Sequence, residues 1–195
     1  MRKLELYILP ITISIGFLIY LLDYPFGSTI TIISLLGFSC LYFYFGFAIF
    51  NEVPFRKVFK KESYQGISIW RIIGAILTGV SISILLIGLL FKMFRWPFGK
   101  EMLIIGVNLL NVIFIIGFIK IIKEKRPFYQ RLLPRVIVFL LLGYLFLSLP
   151  SYALLSLKYS DHPGYIEAVK RLDQDPENLK LQLEEQRAYG DMMSE

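Results

Sequence analysis

Asn108 and Asn111 are the amides set deepest in the long apolar runs of this chain. Spaced three apart, they share one face of a helix. There they can hydrogen-bond to a neighbouring helix or line a polar cavity inside a bundle. Ionisable groups at such depth would point to a proton or ion path, yet no Asp, Glu, His, Lys or Arg falls well inside an apolar run. Lys92 comes nearest, and its stem is long enough to carry the ammonium to a membrane surface. His162, the only histidine, stands beside Asp161 and Pro163 without cysteine partners. That is a weak ligand set for a metal and reads instead as the start of a helix. Cys40 is the only cysteine. It excludes an internal disulfide and is expected as a small packing residue in mid-helix. Glycine-rich phosphate loops, H-E-x-x-H and G-x-S-x-G are all missing from the sequence. No catalytic set, cofactor or metal is therefore expected, and the chain is not expected to be an enzyme.

The elements that would position these amides are membrane helices. Of the 195 residues, 56% are hydrophobic and only 18% charged, and the mean hydropathy is +0.62. Crossing a bilayer takes about 20 apolar residues per helix. Five such runs are present, at 6–22, 28–50, 70–94, 102–122 and 136–157. The alternation that marks a β-barrel is absent. The expectation is an all-α integral membrane protein with five transmembrane helices over residues 1–158, followed by a polar helical tail at 159–195. Met1-Arg2-Lys3 ahead of an apolar run resembles a signal peptide, but no small-residue A-x-A site follows it, and the first helix is expected to be retained.

Two stretches repeat one another 72 positions apart. Residues 15–47 and 87–118 each read as an apolar helix, an aromatic-Pro-Phe-Gly turn and a second apolar helix. Repeat one spans about 6–50 and repeat two about 70–122. Pro25 and Pro97 fix φ in the turns. Gly27 and Gly99 are expected to supply the positive φ of a tight reversal. Ser28 and Thr29 can cap the helix that follows the first turn. Asp23 and Arg95 precede the two turns and can either pair with each other or face water separately. The third run, with Gly74, Gly79, Gly88, Ser81 and Ser83, is richest in small residues and is the expected bundle centre.

Charge sets the orientation. Residues 1–158 carry 17 Lys/Arg and 6 Asp/Glu, whereas residues 159–195 carry 4 and 9. With the N-terminus inside, the inner segments hold thirteen basic residues, Arg2, Lys3, Lys125 and Arg126 among them, and the outer segments eight. The bias predicts a cytoplasmic N-terminus and an outer, periplasmic tail. The basic loops suit anionic lipid headgroups. With no soluble basic domain, nucleic acid is not an expected partner.

The tail reads as two short helices, the second capped by Asp175 ahead of Pro176 and ended by Gly190. Leu179 and Leu183 share a face and, with Tyr189, form a candidate partner surface. The bilayer, a second copy or another membrane protein are the expected contacts, since such short helices are marginal alone. A disordered tail with nascent helix is the other reading.

Residues 87–106, IGLLFKMFRWPFGKEMLIIG, resemble the transmembrane hairpin of GldL, a membrane subunit of the gliding-motility and type IX secretion motor. The first hairpin echoes the pattern more weakly. The resemblance implies an inner-membrane protein of a bacterial envelope complex. That family carries an acidic residue in its second helix; here the neighbourhood reads Asn108-Leu-Leu-Asn111, without a carboxylate. The motor subunit also has two spans and a large cytoplasmic tail, unlike this chain. Motor activity is therefore not implied. Two functional readings remain: a scaffold or assembly subunit of an envelope complex, and a small transporter or channel with its polar site at Asn108 and Asn111.

Overall fold

The computed structural model describes residues 4–124 and 127–194. Arg2, Lys3, Lys125, Arg126 and Glu195, which entered the charge count above, lie outside them. Among the described residues all regular structure is helical. A five-residue π turn, Leu4–Ile8, leads into α1 (Leu9–Leu21), and α2 follows at Gly27–Phe50. After two single 3-10 turns come α3 (Ile69–Met93), α4 (Gly99–Glu124) and α5 (Pro127–Ser148). The tail holds α6 (Ala153–Lys158), α7 (Pro163–Gln174) and α8 (Leu179–Ser194).

Four helices, α2 to α5, are long and apolar enough to cross a membrane. The first apolar helix, Glu5–Leu21, is shorter. A multi-pass membrane protein follows from length and composition alone, because helices satisfy their backbone polar groups internally. Neighbours in sequence pack as antiparallel pairs: α1 on α2, α2 on α3, α3 on α4 and α4 on α5. The third helix is the most buried of the four, and its small residues explain why. At its crossing with α2, Gly79 and Gly46 face each other so closely that a Cβ on Gly79 would lie 2.5 Å from the Tyr42 carbonyl oxygen. Ser39 and Ser83 share a buried hydroxyl hydrogen bond of 2.7 Å across the same interface.

The two turns have the same local geometry, but not for the expected reason. Positive φ is carried by Asp23 and Phe26 in the first turn and by Arg95 and Phe98 in the second. Gly27 and Gly99 instead begin α2 and α4, and α2 takes Phe26 rather than Ser28 or Thr29 as its cap. What the glycines permit is contact. A Cβ on Gly27 would sit 2.4 Å from the Tyr20 amide nitrogen, and one on Gly99 would sit 2.6 Å from that of Lys92. The second helix of each hairpin thus starts against the backbone of the first. The amides of Tyr24 and Trp96 close the turns onto the carbonyls of Ile19 and Phe91, at 3.1 and 2.8 Å.

Three further expectations shift. The fifth apolar helix runs from Pro127 to Ser148 rather than over 136–157, and Pro150 follows its end. Among the described residues this helix therefore begins nine positions before the expected start. Pro134 lies inside it, and the Arg135 guanidinium donates to the Arg131 carbonyl at 3.0 Å beside this interruption. Cys40 is exposed on the outer side of α2 rather than packed. In the tail, Asn178 caps α8 through its side-chain oxygen, which accepts from the Lys180 amide at 3.1 Å. Asp175 instead accepts from the Asn178 side chain, and α8 runs through Gly190. An αR backbone without steric strain lets glycine continue a helix.

Candidate functional site

Asn108 and Asn111 lie on α4, the least buried of the four long helices. Asn108 is exposed on the perimeter of the bundle, and no hydrogen bond reaches its side chain among the described residues. Nine residues in from Gly99, it stands about 13 Å along the helix. Asn111 donates from its amide to the Tyr144 hydroxyl at 2.7 Å, tying α4 to α5. This is an interhelical hydrogen bond of the kind worth about 0.6 kcal/mol.

A charged cluster is buried elsewhere, at the opposite end of the bundle from the hairpin turns. Glu5, at the start of the first apolar helix, is 2% exposed. Its Oε1 accepts from the Tyr42 hydroxyl of α2 at 2.7 Å and from Arg135 Nε of α5 at 2.6 Å. Oε2 accepts from Arg135 Nη2 at 3.2 Å. Arg135 also lies over the Phe50 ring. One turn away on α5, Arg131 pairs with Glu52. A cavity of about 270 Å³ opens beside the cluster, lined by Glu5, Glu52 and Arg135 with Ala48, Ile49, Val53 and Pro54. Two carboxylates and two guanidiniums make the cluster neutral. A fork-shaped guanidinium holding both oxygens of a buried carboxylate fixes orientation as well as charge. Its chemical effect is to lock α5 to the N-terminal helix and to add a polar tie to α2, on whose Phe38 and Tyr42 rings Phe139 of α5 also packs.

Sequence reading missed this cluster because both partners border apolar runs rather than interrupt them. Glu5 precedes the first run, at 6–22, and Arg135 precedes the fifth, at 136–157. The signal was present: opposite charges end two runs on the same membrane face under the expected orientation.

The turn end is closed by the tail. Lys92 donates to the carbonyls of Phe146 and Leu149, the latter at 2.8 Å, so an ammonium caps the C-terminus of α5. Asp23 and Arg95 do not meet. Asp23 pairs with Lys158 at 2.9 Å, and Arg95 with Glu185 at 2.7 Å. Each hairpin uses its pre-turn charge to hold the tail. Lys158 also lies 4.4 Å from the Tyr20 ring centre. Burial opposes its charge, but the Asp23 carboxylate and the Tyr159 hydroxyl outweigh it and hold the ammonium above its ordinary pKa. The tail has a small core of its own around Leu155, Tyr165, Ile166, Val169 and Met192. Burial there, followed by the nearby Glu185 charge, pushes the Tyr165 phenol up to about 12.

Of the candidate partner surface, Tyr189 packs at a tilt against Tyr165 with ring centres 5.6 Å apart. Leu179 and Leu183 remain 74% and 52% exposed. His162 precedes α7 with Pro163 at its start, as its sequence context implies. Among the described residues no group of three or more His, Cys, Asp or Glu gathers to hold a metal.

Residues 77–138 match the family model of the GldL N-terminal domain. The match covers the C-terminal part of α3, the Pro97 turn, α4 and the first half of α5, and contains the stretch on which the resemblance was read. Over this part the chain is a GldL-like membrane protein. No curated protein and no solved structure matches the chain.

Proposed function

We propose that this protein is a non-enzymatic assembly subunit of a bacterial envelope complex related to the gliding and secretion machinery. The observation that carries the reading is Asn108, an amide of an apolar helix on the perimeter of the bundle. An amide facing hydrocarbon leaves two donors and an acceptor unmet, and helix–helix association satisfies them. The amide is self-complementary, so a second copy of α4 can serve as its partner, as can a polar side chain of another membrane helix. The exposed Leu179 and Leu183 offer a second, smaller contact outside the bilayer. The GldL likeness of residues 77–138 supports the setting. Transport would need Asn108 and Asn111 to face a wet interior; one is on the perimeter and the other bonds the half-exposed Tyr144.

The finer architecture belongs to the same proposal. Two hairpins descend from a doubled unit, as the shared turn geometry supports, and Glu5–Leu21 is the fifth span. Its 17 residues extend about 26 Å, close to the hydrocarbon thickness of about 30 Å. The N-terminus is cytoplasmic and the tail periplasmic. Reporter fusions at Ser63 and at the C-terminus test the orientation. Opposite sides are expected, and one shared side removes the fifth span.

Purification in mild detergent with identification of what stays bound tests the function. A homo-oligomer or a membrane partner is expected, weakened at least severalfold by Asn108→Leu. A monomer without partners, unchanged by that substitution, overturns the reading.

A further inference from the structure

A second cavity, of about 430 Å³, lies where α2 gives way to the loop that leads to α3. Asn51 lines it at the helix end, and Lys57, Lys60, Glu62 and Ser63 line it from the loop. This loop folds back on the helix it leaves. Phe55 packs against Phe45 and Tyr64 against Phe47, with ring centres 5.4 and 5.8 Å apart. Phe45 and Phe47 stand five and three residues before the end of α2 at Phe50, about 7.5 and 4.5 Å back along its axis. Val58 is buried against Ala48 and Val53, and the Tyr64 hydroxyl donates to its carbonyl at 2.8 Å, so the loop is held beside the last turns of α2. A helix of 24 residues extends about 36 Å, past a hydrocarbon layer of about 30 Å. Its last turns, and the loop packed on them, therefore meet lipid headgroups.

The cavity has a neutral floor and a charged rim. Asn51 is 8% exposed. Its amide nitrogen donates to the Phe47 carbonyl at 2.7 Å, which fixes the side-chain oxygen on the other side. That oxygen is buried and accepts from no group among the described residues. A buried acceptor left unmet is costly, so this one calls for a donor from outside the chain. At the rim, Lys57, Lys60 and Glu62 are exposed, and none of the three pairs with another group among the described residues. Glu52, the other carboxylate of the lining, is taken by Arg131. Two ammoniums against one carboxylate leave the rim positive. Phe55 and Phe59 of the same loop are 57% and 89% exposed, apolar rings set among these charges.

We propose that this cavity binds the headgroup of an anionic phospholipid that carries a hydroxyl beyond its phosphate. The hydroxyl donates to Asn51 Oδ1, Lys57 and Lys60 hold the phosphate, and the acyl chains run past Phe55 and Phe59. The shared chemistry is a phosphate ester with a neighbouring hydroxyl. The exposed rings select the lipid over its soluble counterpart, since only the lipid brings hydrocarbon to cover them. A positive rim selects an anionic headgroup. The floor selects a hydroxyl over an ammonium, because a buried charge on a neutral amide would stay unpaired.

The test uses the full chain purified in detergent, with retained lipid counted by native mass spectrometry. Four probes are added separately: phosphatidylglycerol, phosphatidylethanol (the same phosphodiester charge without the hydroxyl), phosphatidylcholine and glycerol 3-phosphate. Wild type retains phosphatidylglycerol about fivefold better than phosphatidylethanol, and both better than phosphatidylcholine. Asn51→Leu retains the two phosphodiesters equally. Lys57→Gln with Lys60→Gln, both at exposed positions, lowers phosphatidylglycerol retention about fivefold, whereas Lys100→Gln at the turn end leaves it unchanged. Should Asn51→Leu fail to fold, the wild-type comparison and the lysine variants decide. Equal retention of phosphatidylglycerol and phosphatidylethanol by wild type means that water alone meets Asn51, and overturns the proposal. Equal losses in the Lys57/Lys60 and Lys100 variants reduce the preference to overall charge and overturn it too. Displacement of phosphatidylglycerol by millimolar glycerol 3-phosphate assigns the cavity to a soluble ligand and overturns the lipid as its occupant.

Discussion

Replacing Arg135 by Met strands the Glu5 carboxylate, whose side chain is 1% exposed, against Tyr42 alone. Removing one partner of a buried ion pair costs about 3–5 kcal/mol, whereas replacing both with apolar groups is close to neutral. The two single substitutions are not equivalent here. Arg135 is 21% exposed and keeps its bond to the Arg131 carbonyl when Glu5 is lost, and the adjoining cavity of about 270 Å³ is polar and roomy enough for water. Glu5→Met is therefore expected near the low end, about 3 kcal/mol, and Arg135→Met nearer 4 kcal/mol. The double variant should lose only about 1 kcal/mol, a coupling of about 6 kcal/mol, within the range of close buried charge pairs. Tyr42→Phe removes one of three bonds to the carboxylate and should cost about 1.5 kcal/mol. Reversible unfolding in mixed micelles with increasing dodecyl sulfate, followed by circular dichroism, measures all four. If the double variant instead loses the sum of the singles to within about 0.5 kcal/mol, the two groups do not hold each other and the lock between α5 and the N-terminal helix does not exist.

Other outcomes follow from the turns and the tail. Gly27→Ala and Gly99→Ala must open helix contacts of 2.4 and 2.6 Å and should each cost about 1–3 kcal/mol. Gly37→Ala, with nothing near its Cβ, should stabilise by about 0.5–1 kcal/mol; the same unfolding assay gives both signs. A double-mutant cycle on Asp23 and Arg95 should show no coupling, whereas Asp23 with Lys158 and Arg95 with Glu185 should each couple by up to about 1 kcal/mol. Asp23→Asn combined with Arg95→Gln should speed proteolysis within the tail while the membrane helices stay protected. Tyr165 has its folded pKa raised above the ordinary value to about 12. Its neutral form therefore supports tail packing fully below pH 10, and that support is lost as pH rises towards 12. Tyrosinate absorbance of wild type minus Tyr165→Phe should show one phenol ionising late; ionisation with the exposed tyrosines would remove its place in the tail core.

What the sequence by itself determined is local. Membrane helices are legible because hydropathy and run length act within one segment, and a bilayer admits little else. The two hairpin turns are legible because turn residues act within five positions, and Pro25, Pro97, Gly27 and Gly99 mark the right places. Their jobs were not legible. Whether Gly27 supplies φ or clearance depends on how near Tyr20 comes, and that distance belongs to the packed pair. The tertiary structure alone decided where the charges go. Glu5 and Arg135 are 130 residues apart, and neither interrupts an apolar run, so no window of sequence joins them. Asp23 and Arg95, alike in position, were natural candidates to meet, yet each turned to the tail, where an opposite charge could be brought within 3 Å without separating two packed hairpins.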